Sequence, residues 1–135
     1  MGEGGKVLVA DDDKFLVELI SVNLEAAGFE VLKAYDGEEA LMKALSERPD
    51  LVVLDVIMPG KSGWEVLEEL RARPETQRTP VILLTVLKGK EHIVKGWERG
   101  ADFYLPKPFD PEDLVEVVER LIRASKARRE VEGNA

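Results

Sequence analysis

Six polar residues stand at or just past the ends of short apolar runs, and their types suit the movement of a phosphoryl group. Lys6-Val7-Leu8-Val9-Ala10 runs into Asp11-Asp12-Asp13, and Leu51-Val52-Val53-Leu54 runs into Asp55 with Pro59-Gly60 close behind. Val81-Ile82-Leu83-Leu84 finishes in Thr85, and the stretch from Asp102 to Pro106 finishes at Lys107-Pro108. Clustered carboxylates repel, so such a group must take up a proton or be compensated by a cation. A hard divalent ion with oxygen ligands compensates best, and Mg²⁺ fits because it takes few protein carboxylates and keeps several waters. Asp55 is the carboxylate placed to act as a nucleophile, since aspartyl phosphate is an established covalent species. Thr85 offers a hydroxyl donor and Lys107 a mobile point charge. Metal, ammonium and hydroxyl together are what charge stabilisation of phosphoryl transfer requires.

These residues can meet only if the strands that carry them end at one edge of a sheet. A short unbroken apolar run bounded by turn signals reads as a strand buried on both faces, as in a parallel sheet. Between the strands the period changes to that of helices. Phe15, Leu16, Leu19, Ile20, Leu24 and Ala27 predict a first helix, closed by Gly28 in the C′ position. Glu30 to Ala34 is a second strand, and Asp36-Gly37 leads into a second helix carrying Ala40, Leu41, Ala44 and Leu45. Trp64, Val66, Leu67 and Leu70 mark a third helix ending near Pro74; Ile93, Val94 and Trp97 mark a fourth, closed by Gly100. Asp110 is a good N-cap and Pro111 a good first residue for the last helix, whose stripe is Leu114, Val117, Val118, Leu121 and Ile122. The order is (βα)₅, which calls for an α/β doubly wound three-layer sandwich around a five-stranded parallel sheet. In such sheets ligands bind at the carboxyl ends of the strands. Where the winding reverses, the first and third strands lie side by side, which brings Asp11, Asp12 and Asp55 together.

Composition sets the outer bounds. The 135 residues fit one domain able to bury its own core. We divide the chain into a disordered stretch 1–5, a domain 6–125 and a charged tail or linker 126–135, with the last helix losing its pattern near Ala124. Cysteine is absent, which removes disulfide, zinc-thiolate and cysteine-nucleophile chemistry. No 18-residue apolar span and no leader peptide are visible, so the expected location is cytoplasmic, away from membrane. A net charge of −8 argues against nucleic-acid binding through this chain.

The sequence resembles the receiver domain of two-component response regulators over roughly residues 5–125. The segments that carry the resemblance are Val9-Ala10-Asp11-Asp12-Asp13, Leu54-Asp55-Val56-Ile57-Met58-Pro59-Gly60, Thr85, Gly100-Ala101-Asp102 and Tyr104-Leu105-Pro106-Lys107-Pro108-Phe109. Each is a modest signal; five in order on this spacing are very specific. The resemblance implies a strand order of 2-1-3-4-5. It implies that Asp55 accepts a phosphoryl group from a histidine kinase or phosphotransfer protein, as a switch and not a turnover enzyme. Asp12, Asp55 and the backbone carbonyl of Ile57 would ligate Mg²⁺, with Asp11 assisting in the acidic pocket. Lys107 and Thr85 would contact the phosphoryl oxygens, and Tyr104 would be the switch aromatic. The Lys107-Pro108 bond is expected to be cis. The readout surface would be the fourth helix, fifth strand and fifth helix, serving a downstream protein, a tethered effector domain or a homodimer. Val86, Ile57 and Leu87 are bulkier than is usual for the family, which points to a narrowed site and a long-lived phosphorylated state.

Blander readings compete at several positions. One helix cap would account for Asp13, whereas a cap does not need three carboxylates. Trp64 and Trp97 lie in helical stripes and read as packing residues. His92 lacks the helical-bundle context of a phosphotransfer histidine and reads as a surface residue. The basic run from Arg123 to Arg129 reads as a solvated helix end or linker. Two other functions are weighed. A Mg²⁺-dependent phosphatase of the haloacid-dehalogenase type would use Asp11 as nucleophile, but lacks the usual threonine after the second acid and leaves the Asp55 loop unexplained. A flavodoxin-like nucleotide binder would want glycines or hydroxyls after the first strand, where three aspartates would repel phosphate.

Overall fold

The computed structural model describes residues 4–86 and 100–133. Its elements are β1 (Lys6–Ala10), α1 (Lys14–Ala26), β2 (Glu30–Ala34), α2 (Gly37–Glu47), β3 (Leu51–Asp55), α3 (Gly63–Arg71), β4 (Val81–Thr85), β5 (Phe103–Pro106) and a C-terminal helix, Pro111–Gly133. The expected fourth helix, with His92, Ile93, Val94 and Trp97, and Leu87 just before it, lie outside the described residues. The five strands are parallel in the order β2-β1-β3-β4-β5. This is the three-layer sandwich and strand order expected from the sequence.

Each strand feeds two cores because successive side chains point to opposite faces. Leu8, Ala10, Val52, Leu54, Val81 and Leu83 pack with Ala40 and Ala44 of α2 and Leu67 and Leu70 of α3. Val7, Val9, Leu51, Val53, Ile82 and Leu84 pack with Ile20 and Leu24 of α1 and Leu114 and Val118 of the C-terminal helix. The pairing Leu8 with Val52 and Val52 with Val81 keeps like faces in register across the sheet. With β3 and β4 buried at every residue, the polar groups at their ends are held by the fully buried centre of the sheet.

Two elements differ from their sequence reading. In α1 the inward stripe is Val17, Ile20, Ser21 and Leu24, while Phe15 is 78% and Leu19 39% exposed. At 100° per residue the buried four subtend one face, and Phe15, Leu19 and Val22 lie opposite. The sequence disguised this because a serine interrupts the inward stripe. Ser21 tolerates burial by donating its hydroxyl to the Val17 carbonyl at 2.6 Å. The C-terminal helix loses its apolar pattern after Ser125, yet it continues as helix to Gly133. Lys126, Ala127, Arg128, Arg129 and Glu130 are all strong helix formers, and Ser125 extends the buried stripe one turn past Ile122. Arg78 in the loop after α3 pairs with Glu132 near the far end.

Candidate functional site

The sheet order brings β1 between β2 and β3, so Asp11 and Asp12 emerge beside Asp55. Asp55 is the last residue of β3, and the Val56 amide still donates to Leu84 of β4 at 2.9 Å, so the acceptor strand is clamped to the very edge. Thr85 pairs in register with Pro106, and the Lys107 amide donates to the Thr85 carbonyl at 2.7 Å. That one bond past the ladder points Lys107 across the pocket. The Lys107-Pro108 peptide is cis, as expected.

One oxygen each from Asp11, Asp12 and Asp55 lies within 4.8 Å of the others. Asp11 is fully buried, Asp55 nearly so, and Asp12 is exposed, so the cluster opens to solvent on the Asp12 side. Lys107 Nζ lies 2.7 Å from Asp11 Oδ2 and 3.4 Å from Asp55 Oδ2. Three carboxylates against one ammonium leave two negative charges when all are ionised, which one divalent cation would balance. The donor set is all oxygen and keeps an open side for water, so the residues fit Mg²⁺. Burial first, and then the charge of Asp11, push the Asp55 carboxyl up to about 6, against the pull of Lys107 and the Ile57 amide. Burial alone would lower Lys107, but its hydrogen bond to Asp11 and the charges of Asp55 and Asp11 raise it, so it stays an ammonium.

The loop after Asp55 is shaped by contacts the sequence reading did not anticipate. The Ile57 amide reaches back to Asp55 Oδ1 at 3.4 Å, while its side chain is 57% exposed. Met58 is buried in the core, anchoring the loop from below. Two glycines at helix starts then press against it. A Cβ on Gly63 would stand 2.2 Å from the Asp55 carbonyl oxygen, and one on Gly37 would stand 2.0 Å from the Lys61 carbonyl oxygen. The Gly63 amide donates to Val56 at 2.9 Å, and Gly37 donates to Pro59 at 3.4 Å. Their signal in the sequence is only a glycine at a helix start, which names no neighbour. Ser62 caps α3 in a reciprocal box with Glu65, fixing where the loop must end.

Asp13 is a cap: its carboxylate accepts the Leu16 amide at 3.1 Å. Tyr104 is buried and shares a side-chain hydrogen bond with Thr85, and burial raises its phenol. Val86 is 60% exposed beyond Thr85, and Trp64 packs in the core beside the glycine that abuts Asp55. Asp11, Asp12, Asp55, Thr85 and Lys107 thus meet at one edge, with Tyr104 joined through Thr85.

Known proteins resemble this chain in sequence and in fold. The family model described as the response regulator receiver domain matches residues 7–119. The alkaline phosphatase synthesis transcriptional regulatory protein PhoP of Bacillus subtilis is 43% identical over 121 residues, 90% of this chain and 50% of its own length. The transcriptional regulatory protein CpxR of Klebsiella pneumoniae is 46% identical over 120 residues, 89% of this chain and 50% of its own. The chain therefore spans about half the length of these curated relatives. Among solved structures, the receiver domain of the Francisella response regulator 1452 superposes with a TM-score of 0.85 at 37% identity, covering 90% of this chain and 98% of that one. Chemotaxis response regulator CheY4 of Vibrio cholerae gives 0.81 at 38% identity, covering 86% and 97%. Among the described residues no helix is long and apolar enough to cross a membrane. With the acidic edge, its lysine and its threonine already in place, this match over most of its length makes the chain a member of the response regulator receiver domain family.

Proposed function

We propose that the domain is a phosphorylation-driven switch in which Asp55 accepts a phosphoryl group from the phosphohistidine of a histidine kinase or phosphotransfer protein. The observation that carries this reading is the position of Asp55: a near-buried carboxylate 3.4 Å from Lys107 Nζ, with the oxygens of Asp11 and Asp12 within 4.8 Å. Ionised Asp55 attacks phosphorus in line, an O–P bond forms, the donor's P–N bond breaks, and its electron pair stays on the imidazole. Lys107 and the Thr85 hydroxyl take the charge that gathers on the phosphoryl oxygens. Asp11, Asp12, Asp55 and the Ile57 carbonyl are the residues that would hold Mg²⁺, which supplies charge neutralisation when bound.

The new charge biases Thr85, and Tyr104 is bonded to Thr85, so the readout is the surface of the fourth helix, fifth strand and last helix. Its recipient is a downstream protein or a tethered effector domain, and pairing of two copies through this face is one form it could take. The exposed Ile57 side chain at the rim favours a long-lived phosphorylated state. A phosphatase using Asp11 is disfavoured, because that carboxylate is fully buried and held by Lys107 at 2.7 Å.

Incubation with Mg²⁺ and acetyl phosphate, followed by intact mass measurement, tests the proposal. One phosphoryl adduct that disappears in Asp55→Asn is the expected result. An adduct that persists in the variant, or steady hydrolysis of phosphate esters without an adduct, would overturn it.

A further inference from the structure

The opposite edge of the sheet, where β3 and β4 begin, holds a cleft that the switch does not use. It has a volume of about 200 Å³ and is bordered by Arg78 and Thr79 before β4 and by Ser125, Arg128 and Arg129 of the C-terminal helix. A five-residue strand, roughly 16 Å, separates it from Asp55. Residues 123–129 carry Arg123, Lys126, Arg128 and Arg129 with no acid, in a chain of net charge −8.

Arg128 and Arg129 of this cleft differ from the ion-paired arginines of the fold. Arg71, Arg73 and Arg120 each hold a carboxylate. Arg128 and Arg129 have neither a hydrogen bond nor an ion pair among the described residues. Ser125 is 8% exposed, borders the cleft, and likewise has no hydrogen bond among the described residues. Arg78 already holds an anion at the rim, the carboxylate of Glu132. Two acids also border the cleft: Glu75, and Asp50, whose carboxylate is engaged by the Lys6 amide at 2.7 Å.

We propose that this cleft binds a small polyanion of the phosphate class, held by Arg78, Arg128, Arg129 and the Ser125 hydroxyl, with Glu132 as the internal carboxylate that the ligand displaces. Guanidinium forks match the tetrahedral oxygens of phosphate and hold them in pairs. The residual acids demand more than one negative charge on the ligand, and the volume admits a phosphate or diphosphate group but not a folded partner. The inference does not rest on phosphorylation of Asp55, because the two sites lie at opposite edges.

Amide shifts in a titration with inorganic pyrophosphate, run with EDTA at fixed ionic strength, test it with the acidic site kept metal-free. Saturable shifts at Ser125 and Thr79 are expected, and the Arg128→Ala/Arg129→Ala double variant should bind about tenfold more weakly. Glu132→Gln should bind about threefold more tightly, and Arg120→Ala, a paired arginine on the same helix, should bind as the parent does. A parallel arm with a nucleoside triphosphate separates the sources: equal affinity assigns recognition to the phosphate group alone, tighter binding to a nucleoside-borne one. Shifts that do not saturate, an unaffected double variant, or an equal loss in Arg120→Ala would overturn the site. A Glu132→Gln variant that binds no tighter would overturn the displacement. All the substituted side chains are exposed, so folding is not at stake.

Discussion

Asp55 is pulled two ways, by burial and Asp11 toward protonation and by Lys107 toward charge. The net push to about 6 has a signed consequence for stability. A carboxyl raised in the folded state is protonated there, but ionised in the unfolded chain, between pH 4 and 6. Stability of the metal-free domain therefore falls as pH rises through that window and stays reduced above it. Asp55→Asn removes the repelled charge, so in EDTA at pH 8 it should stabilise the fold by about 2–3 kcal/mol, with the gain vanishing near pH 4. Urea titrations at the two pH values check this. Lys107→Met should act in the opposite sense, costing about 3 kcal/mol or more at pH 8, because Asp11 and Asp55 are then left buried without their ammonium. Chemical denaturation of that variant in EDTA is the measurement. Asp12, Asp55, Thr85 and Lys107 were legible in the sequence because each interrupts or ends an apolar run. Gly37 and Gly63 were not, since a glycine's type says nothing of which backbone approaches it.

Those two glycines set the acceptor loop at the scale of elements. Gly63→Ala places a Cβ 2.2 Å from the Asp55 carbonyl, where neither strand nor helix can yield. It should destabilise the domain by roughly 3 kcal/mol and weaken Mg²⁺ binding together. Gly28→Ala meets nothing within 4 Å and bears only the strain of a positive φ, so its cost should be about 1 kcal/mol without change in Mg²⁺ affinity. Thermal unfolding and Trp64 emission with added Mg²⁺ would separate the two. Arg71 ties α3 to the starts of β4 and β5, donating to the carbonyls of Thr79 and Gly100 and pairing with Asp102, which also accepts the Val81 amide. A lysine lacks that fork, so Arg71→Lys should cost about 2 kcal/mol and speed amide exchange at Val81 and Asp102. Helices whose apolar stripe is unbroken, α2 and α3, were read correctly from their spacing. In α1 three apolar residues line the outer face and a serine sits in the inner one, so the hydrophobic count was a poor guide to orientation.

Across the whole molecule, the two edges of one sheet carry different clusters. Asp11, Asp12 and Asp55 meet where β1 and β3 end, and Arg78, Arg128 and Arg129 border the cleft where β3 and β4 begin. The alternation of strands and helices announced the parallel sandwich, but periodicity carries no information about strand order. That came from the family resemblance and is observed as β2-β1-β3-β4-β5. The helical extension to Gly133 escaped notice because an exposed helix lacks an apolar stripe, leaving only propensity to signal it. Its tie to the domain through Arg78 and Glu132 is solvent-exposed. Deleting residues 127–135 should therefore shift the unfolding temperature by no more than about 3 °C. The central claim is that Asp55, and no other acid at the edge, becomes the acyl phosphate. Borohydride reduces an acyl phosphate to an alcohol, converting phosphoaspartate to homoserine, and peptide sequencing by mass then locates it. After treatment with Mg²⁺ and acetyl phosphate, homoserine at position 55 alone is the predicted result; homoserine at position 11 or 12, or none at all, would contradict it.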